Sequence, residues 1–195
     1  MASIEIKNLN GDDIWPWFDA LADLRIEIFK TFPYLYEGSR AYEQQYLKHY
    51  LNKHSLIVGA FDGKKLVGAA TCGILSEHDE SFSESLSDAG FNPDTMLYCG
   101  ESLLLPAYRG QGVGHTFFDY REAHGRDLGL QFSCFASVVR PDDHPLRPAD
   151  YQPLDAFWMK RGYVPLEGVE AGFSWQDIDQ TVETEKSMQI WLNTL

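Results

Sequence analysis

The sequence predicts a mixed α/β or α+β domain running over residues 1–195, and three observations carry that expectation. Stretches of alternating apolar and polar residues interleave with stretches of helical spacing. Their order is strand, two helices, three strands, helix, strand, helix, two strands. With 195 residues, 44% of them hydrophobic, the chain is long and apolar enough for one packed core. No internal repeat, long linker or low-complexity tract interrupts it.

Taken in order, "SIEIKNL" alternates and reads as a strand. Asp12 and Asp13 precede "IWPWFDALADLRIEIF", a helix with Pro16 in its first turns. The aromatic-rich "FKTFPYLYEGS" breaks it, and Ser39 caps a second helix through about Asn52. "SLIVGAF", the turn "DGKK" and "LVGAATCGI" make a hairpin. Residues 76–94 are acidic and serine-rich, a loop with room for a short helix near Phe82 to Ala89. "TMLYCGESLLL" is the next strand, ended by Pro106. A helix from about Gly112 to Leu128 places Val113, Phe117, Tyr120 and Leu128 on one face. "LQFSCFASVV" is a strand, "RPDDHPLRPADYQP" a proline-rich loop, and "LDAFWMKR" a short helix stopped by Gly162. "GFSWQDI" and "SMQIWLNTL" close the chain as strands.

Composition narrows the function. Lys and Arg number 16 against 29 Asp and Glu, a net charge of −13, which repels phosphate backbones and argues against a nucleic-acid partner. No apolar run approaches the roughly 20 residues a membrane span needs. The opening "MASIEIKNLN" lacks the basic and apolar regions of a secretory signal. Cys72, Cys99 and Cys134 lie in strand-like segments without metal-ligand spacing, which suits reduced thiols in a cytoplasmic protein.

The stretch "YRGQGVGHTF" carries the chemistry. Gly110, Gly112 and Gly114 stand where a helix begins, behind Arg109. The first N–H groups of a helix lack internal partners, the dipole adds positive charge there, and glycines let backbone approach a ligand closely. Together these make an anion site, with phosphate the commonest occupant. A P-loop would need Gly-Lys-Ser/Thr, but Gly114 is followed by His115 and Thr116. A dinucleotide fingerprint would need glycine where His115 stands.

Arg-x-x-Gly-x-Gly, here Arg109, Gly112 and Gly114, resembles the coenzyme A pyrophosphate loop of the GNAT acetyltransferase superfamily. "ESLLL" before it, the helix and "FSCFASVV" after it, and the later "LDAFWMKRGYVP" follow that family's order along nearly the whole chain. The resemblance implies a mostly antiparallel sheet with a splayed parallel strand pair and flanking helices. It implies that acetyl-CoA lies in the splay, with backbone groups of Leu103, Leu104 and Leu105 pairing with the pantetheine arm. Gly110, Gln111, Gly112, Val113, Gly114 and His115 would hold the pyrophosphate beside Arg109. Glu101, on the strand passing the acetyl group, is the candidate base, with an ion-pair role as the alternative. The late helix departs from the family pattern: Trp158 stands where tyrosine is usual, and indole is no acid. Trp158 is expected to pack against the thiol end of the coenzyme or in the core. Tyr151 and Tyr98 are substitute phenols or ordinary packed tyrosines.

The acceptor implied is a primary amine on a small molecule or peptide, attacking directly. The alternative is a non-catalytic acetyl-CoA-binding or regulatory module. Phe32, Tyr34, Tyr36 and Glu37 suggest an aromatic box with one carboxylate, or else a hydrophobic plug. Arg140, His144 and Arg147 suggest an anion contact; Asp142, Asp143 and His144 lack convincing metal geometry. The C-terminal "MQIWLN" is expected at a sheet edge, where it could pair in a homodimer.

Overall fold

A computed structural model describes residues 4–78 and 80–195. Strand β1 (Ile4–Leu9) leads through a 3₁₀ turn over Gly11–Trp17 into helix α1 (Phe18–Phe29). Pro16 falls inside that turn, two residues before α1 begins. Helix α2 (Arg40–Leu47) starts at Ser39, whose Oγ accepts the Tyr42 N–H at 3.4 Å. It ends earlier than the sequence suggests, tightening into a 3₁₀ turn over Lys48–Leu51.

Strands β2 (Leu56–Asp62) and β3 (Lys65–Ile74) form the expected hairpin. A short α3 (Glu80–Asp88) follows. The segment expected as one strand is two: β4 (Met96–Tyr98) and β5 (Ser102–Leu104), parted by Cys99, Gly100 and Glu101. Helix α4 (Val113–Asp127) buries Val113, Phe117, Phe118, Arg121, Glu122 and Gly125. Tyr120, expected inside, is 37% exposed, because the buried face runs through Arg121 instead. His124 and Arg126 suit the negative end of the helix dipole. Strand β6 (Phe132–Val138) and helix α5 (Asp155–Lys160) come next. Strands β7 (Val164–Gln176) and β8 (Glu183–Thr194) form a long final hairpin.

The sheet order is β1-β2-β3-β4-β6-β8-β7, with β5 pairing β3 off this path. All pairs are antiparallel except β4 with β6. The C-terminal strand is therefore not the expected edge: β8 lies between β6 and β7, and β7 is the edge. One core cluster sets α1 and α4 against β2, β3 and β5, with Ile57, Val67, Leu103 and Phe117 almost fully buried. A second packs α3 against the far half of the sheet, through Phe82, Leu86, Met96, Cys134 and Ile190.

Candidate active site

The site begins where β4 leaves β6. The two run parallel only over Met96–Tyr98 opposite Phe132–Cys134, and the Cys99 N–H still donates to Cys134 O at 2.8 Å. From Ser102 on, the chain pairs with β3 alone. Half-buried Ala136, Ser137 and Val138 of β6 are left facing a strand that has moved away. The break is a bulge: Gly100 N–H donates to Thr71 O, Glu101 N–H to Thr71 Oγ1 and Thr71 N–H to Glu101 O, each at 3.1 Å. Leu105 N–H donates to Val67 O at 3.0 Å. Backbone groups alternate along a strand, so residues 101, 103 and 105 address β3 while Ser102 and Leu104 address the open side. Of the three leucines expected to pair with a pantetheine arm, Leu104 alone faces the groove. Its carbonyl accepts from Arg109 Nε at 3.1 Å, which leaves its N–H and the backbone groups of Ser102.

The glycine loop lies at the end of this strand. Gly110 and Gly112 take φ of 74° and 84°, and a Cβ on either would meet nothing within 4 Å. Gly112 caps α4 in the left-handed conformation with no side chain covering the helix end. Among the described residues, no protein acceptor takes the N–H groups of residues 110–115. Six consecutive amides thus stand before a helix N-terminus with open space around the glycines, a geometry that binds anions. Among the described residues, none accepts from the terminal nitrogens of Arg109. The His115 ring rests on Phe157 at 4.8 Å and meets Arg161 Nη1 at 3.3 Å.

Glu101, expected as base, is enclosed in an ion cluster. Its Oε1 accepts from Arg25 Nη1 and its Oε2 from Thr71 Oγ1, while Arg25 Nε donates to Glu43. Arg25, Glu43 and Glu101 are all buried. The Arg25 guanidinium lies 4.1 Å from the Tyr46 ring and 5.0 Å from Phe29. Burial works against its charge, but Tyr46 and Glu43 outweigh that and hold its pKa up. The aromatic cage of this region thus encloses a cation of the protein's own. Both Glu101 oxygens being engaged, the ion-pair role is the one these contacts describe. Arg25 and Glu43 gave no signal in the sequence beyond being charged residues at core positions of their helices.

Burial keeps the phenols of Tyr34, Tyr36 and Tyr50 neutral. Burial pushes Tyr34 up to about 12, and raises Tyr50 well above the ordinary value. Burial, then the Glu43 carboxylate, raises Tyr36 likewise. Trp158 is half-buried and packs 5.0 Å from both Phe135 and Trp191, at the margin of the core. Tyr98 is a core residue against Phe82. Tyr151 stacks edge-on against Phe32 at 4.7 Å beneath Arg147.

The two segments proposed to flank the acceptor meet each other. Phe32 touches His144, Tyr151 and Arg147. It does not join Tyr34, which packs on Phe29 and Trp175. Tyr36 folds back over Gly38, and Glu37 is exposed. The four-residue box is therefore not assembled, and the plug describes this segment. Arg140 is a strut: its guanidinium bonds Pro33 O, Tyr34 O and both oxygens of buried Asp177 at 2.8–2.9 Å.

The comparisons bear on this geometry directly. The structure resembles an acetyltransferase from Streptococcus agalactiae with a TM-score of 0.62, at 15% identity over 100% of both chains. It resembles the Salmonella typhimurium protein yncA, solved with its cofactor acetyl-CoA, with a TM-score of 0.63 at 8% identity, over 98% of this chain and 94% of that one. It also resembles the PaiA N-acetyltransferase of Thermoplasma acidophilum in complex with coenzyme A, with a TM-score of 0.54 at 14% identity over 99% of both. At such identities the likeness is one of fold. A search of curated proteins returns no match. The family model for the acetyltransferase (GNAT) family matches residues 18–148. That span covers the ion cluster, the bulge, the glycine loop and the splay, and the chain belongs to the GNAT acetyltransferase family.

Proposed function

We propose that the protein transfers an acetyl group from acetyl-CoA to a primary amine of a small molecule or peptide by direct attack. The observation that carries this is the row of unengaged amides at residues 110–115, opening on space before α4. These residues fit a diphosphate: N–H donors and a helix dipole, with Arg109 beside them. Ser102 and Leu104 supply groove-facing amides for the donor's arm and its acetyl carbonyl. Acetyl-CoA supplies the activated acyl group. Glu101 serves this site by holding the bulge through Arg25. Three unpaired buried cysteines support a reducing, cytoplasmic setting.

Calorimetric titration with coenzyme A tests the reading: saturable binding is expected, and silence at millimolar ligand sinks it. Gly112→Asp places a carboxylate and a side chain at φ of 84° beside the diphosphate. Backbone strain of about 1–2 kcal/mol and like-charge repulsion should weaken binding at least tenfold. Trp158, packed against Phe135 where the family usually has tyrosine, favours one second reading, a module that binds acetyl-CoA without turnover. Thiol release across an amine library separates the two.

A further inference from the structure

Among the described residues, one buried charge has no counter-ion. Arg121 of α4 is 1% exposed, and among the described residues no carboxylate pairs with it. Its Nε and Nη2 have no hydrogen-bond partner. Its guanidinium lies 4.4 Å from the Phe118 ring. Among the described residues it makes one bond, Nη1 to the Glu101 carbonyl at 3.0 Å. An uncompensated buried guanidinium is expensive, so a single bond to a main-chain oxygen needs a reason.

The peptide plane supplies one. Glu101 C=O and Ser102 N–H belong to one planar trans unit and point in opposite directions. Whatever fixes the carbonyl fixes the amide. The Glu101 carbonyl is held by Thr71 N–H at 3.1 Å and by Arg121. Its side chain is held from the other side by Arg25 of α1. The residue is thus pinned from α1 through its carboxylate and from α4 through its carbonyl, at the point where the strand departs from β6. The Ser102 N–H is left aimed into the groove.

Building on the acetyl-CoA reading above, we propose that Arg121 is a positioning residue that aims the Ser102 amide at the thioester carbonyl of the donor. It works through the Glu101 carbonyl and touches no substrate. A preorganised N–H aimed at the oxygen where charge develops polarises that carbonyl, so aim is worth more than strength.

Isotope-edited infrared spectroscopy of acetyl-CoA labelled at the carbonyl carbon reads this without an acceptor. Bound to the parent protein, the carbonyl band should shift down from its position in free acetyl-CoA. In Arg121→Met the band should return toward the free position, with coenzyme A affinity within about threefold of the parent's. Arg121→Lys keeps the charge but loses the rigid fork, and should give a band between the two. The parent's band in either folded variant overturns the proposal. So does a parent band no different from free acetyl-CoA, or loss of coenzyme A binding in a folded variant. Failure of the parent to bind coenzyme A at all removes the acetyl-CoA reading itself, and this inference with it.

Discussion

Gly100 shows what a single missing side chain does in this molecule. A Cβ there would lie 2.0 Å from Tyr50 Oη and 2.8 Å from Thr71 Oγ1. The Tyr50 phenol, 3.2 Å from that of Tyr46, occupies the space a side chain would need and covers the bulge. Gly100→Ala should therefore cost about 1–3 kcal/mol by overpacking. Tyr50→Phe removes the offending oxygen, so the double variant should be less destabilised than the two singles summed, by about 1 kcal/mol. Denaturant titration of all four proteins measures the difference; strict additivity rules out Tyr50 as the obstacle. The sequence made the glycine loop legible, because anion binding by main chain needs glycines close together and next to a helix start. The ion cluster was not legible. Glu101 offered an ion pair, but its partners Arg25 and Glu43 are far from it in the chain, and a charged residue at a core position of a helix reads as surface until its partners are known.

Elements were legible where one periodicity ran unbroken, as in the β2–β3 hairpin and α4. They were misjudged where polar residues interrupted it. Strand β7 starts at Val164, yet Pro165, Glu167 and Gly168 mask its first half, and its register slips between Pro165 and Glu170. The β4–β5 segment reads as one strand because a bulge keeps the apolar pattern while redirecting the backbone. The connector after β3 carries the short helix expected near Phe82 to Ala89, found as α3. His78 lies in it with the ring packed 4.8 Å from Tyr50 and Nε2 3.1 Å from Ser55 Oγ, over Gly73. Burial lowers its pKa from 6.5 to about 4, against a raising influence of Glu77 and with a smaller lowering one from His49. The unfolded chain then takes a proton near pH 6.5 that the folded chain refuses until about 4. This contribution is complete above pH 6.5 and drains as pH falls toward 4, by about 2 kcal/mol after allowing for partial exposure. His78→Gln should flatten that limb of the stability curve. An equally steep decline in the variant would assign it to other groups.

At the scale of the whole molecule, three stretches distant in sequence converge on one arginine. The segment between α1 and α2, the proline-rich loop after β6 and the β7–β8 turn each look like independent connectors when read alone. Arg140 ties them together, bonding Pro33 O and Tyr34 O on one side and Asp177 on the other. Main-chain bonds reinforce the junction: Glu37 N–H to Gln176 O at 2.9 Å and Ile178 N–H to Leu35 O at 2.7 Å. Burial alone would raise the Asp177 pKa, but hydrogen bonds from Arg140 and Lys186 outweigh it and hold the carboxyl below its ordinary range. The stability this lends is present above the ordinary carboxylate pKa and is lost as pH falls through the lowered one. Arg140→Met leaves Asp177 buried with Lys186 alone, 3.2 Å away. The loss should be about 3 kcal/mol, with acid unfolding starting at a higher pH. Hydrogen exchange at Glu37 and Ile178 should quicken together, because one strut serves both. Among the described residues the glycine loop shares no bond with this junction, so coenzyme A affinity of the folded variant should stay at the parent's value. Exchange that quickens at only one of the two amides would mean the segments are held separately.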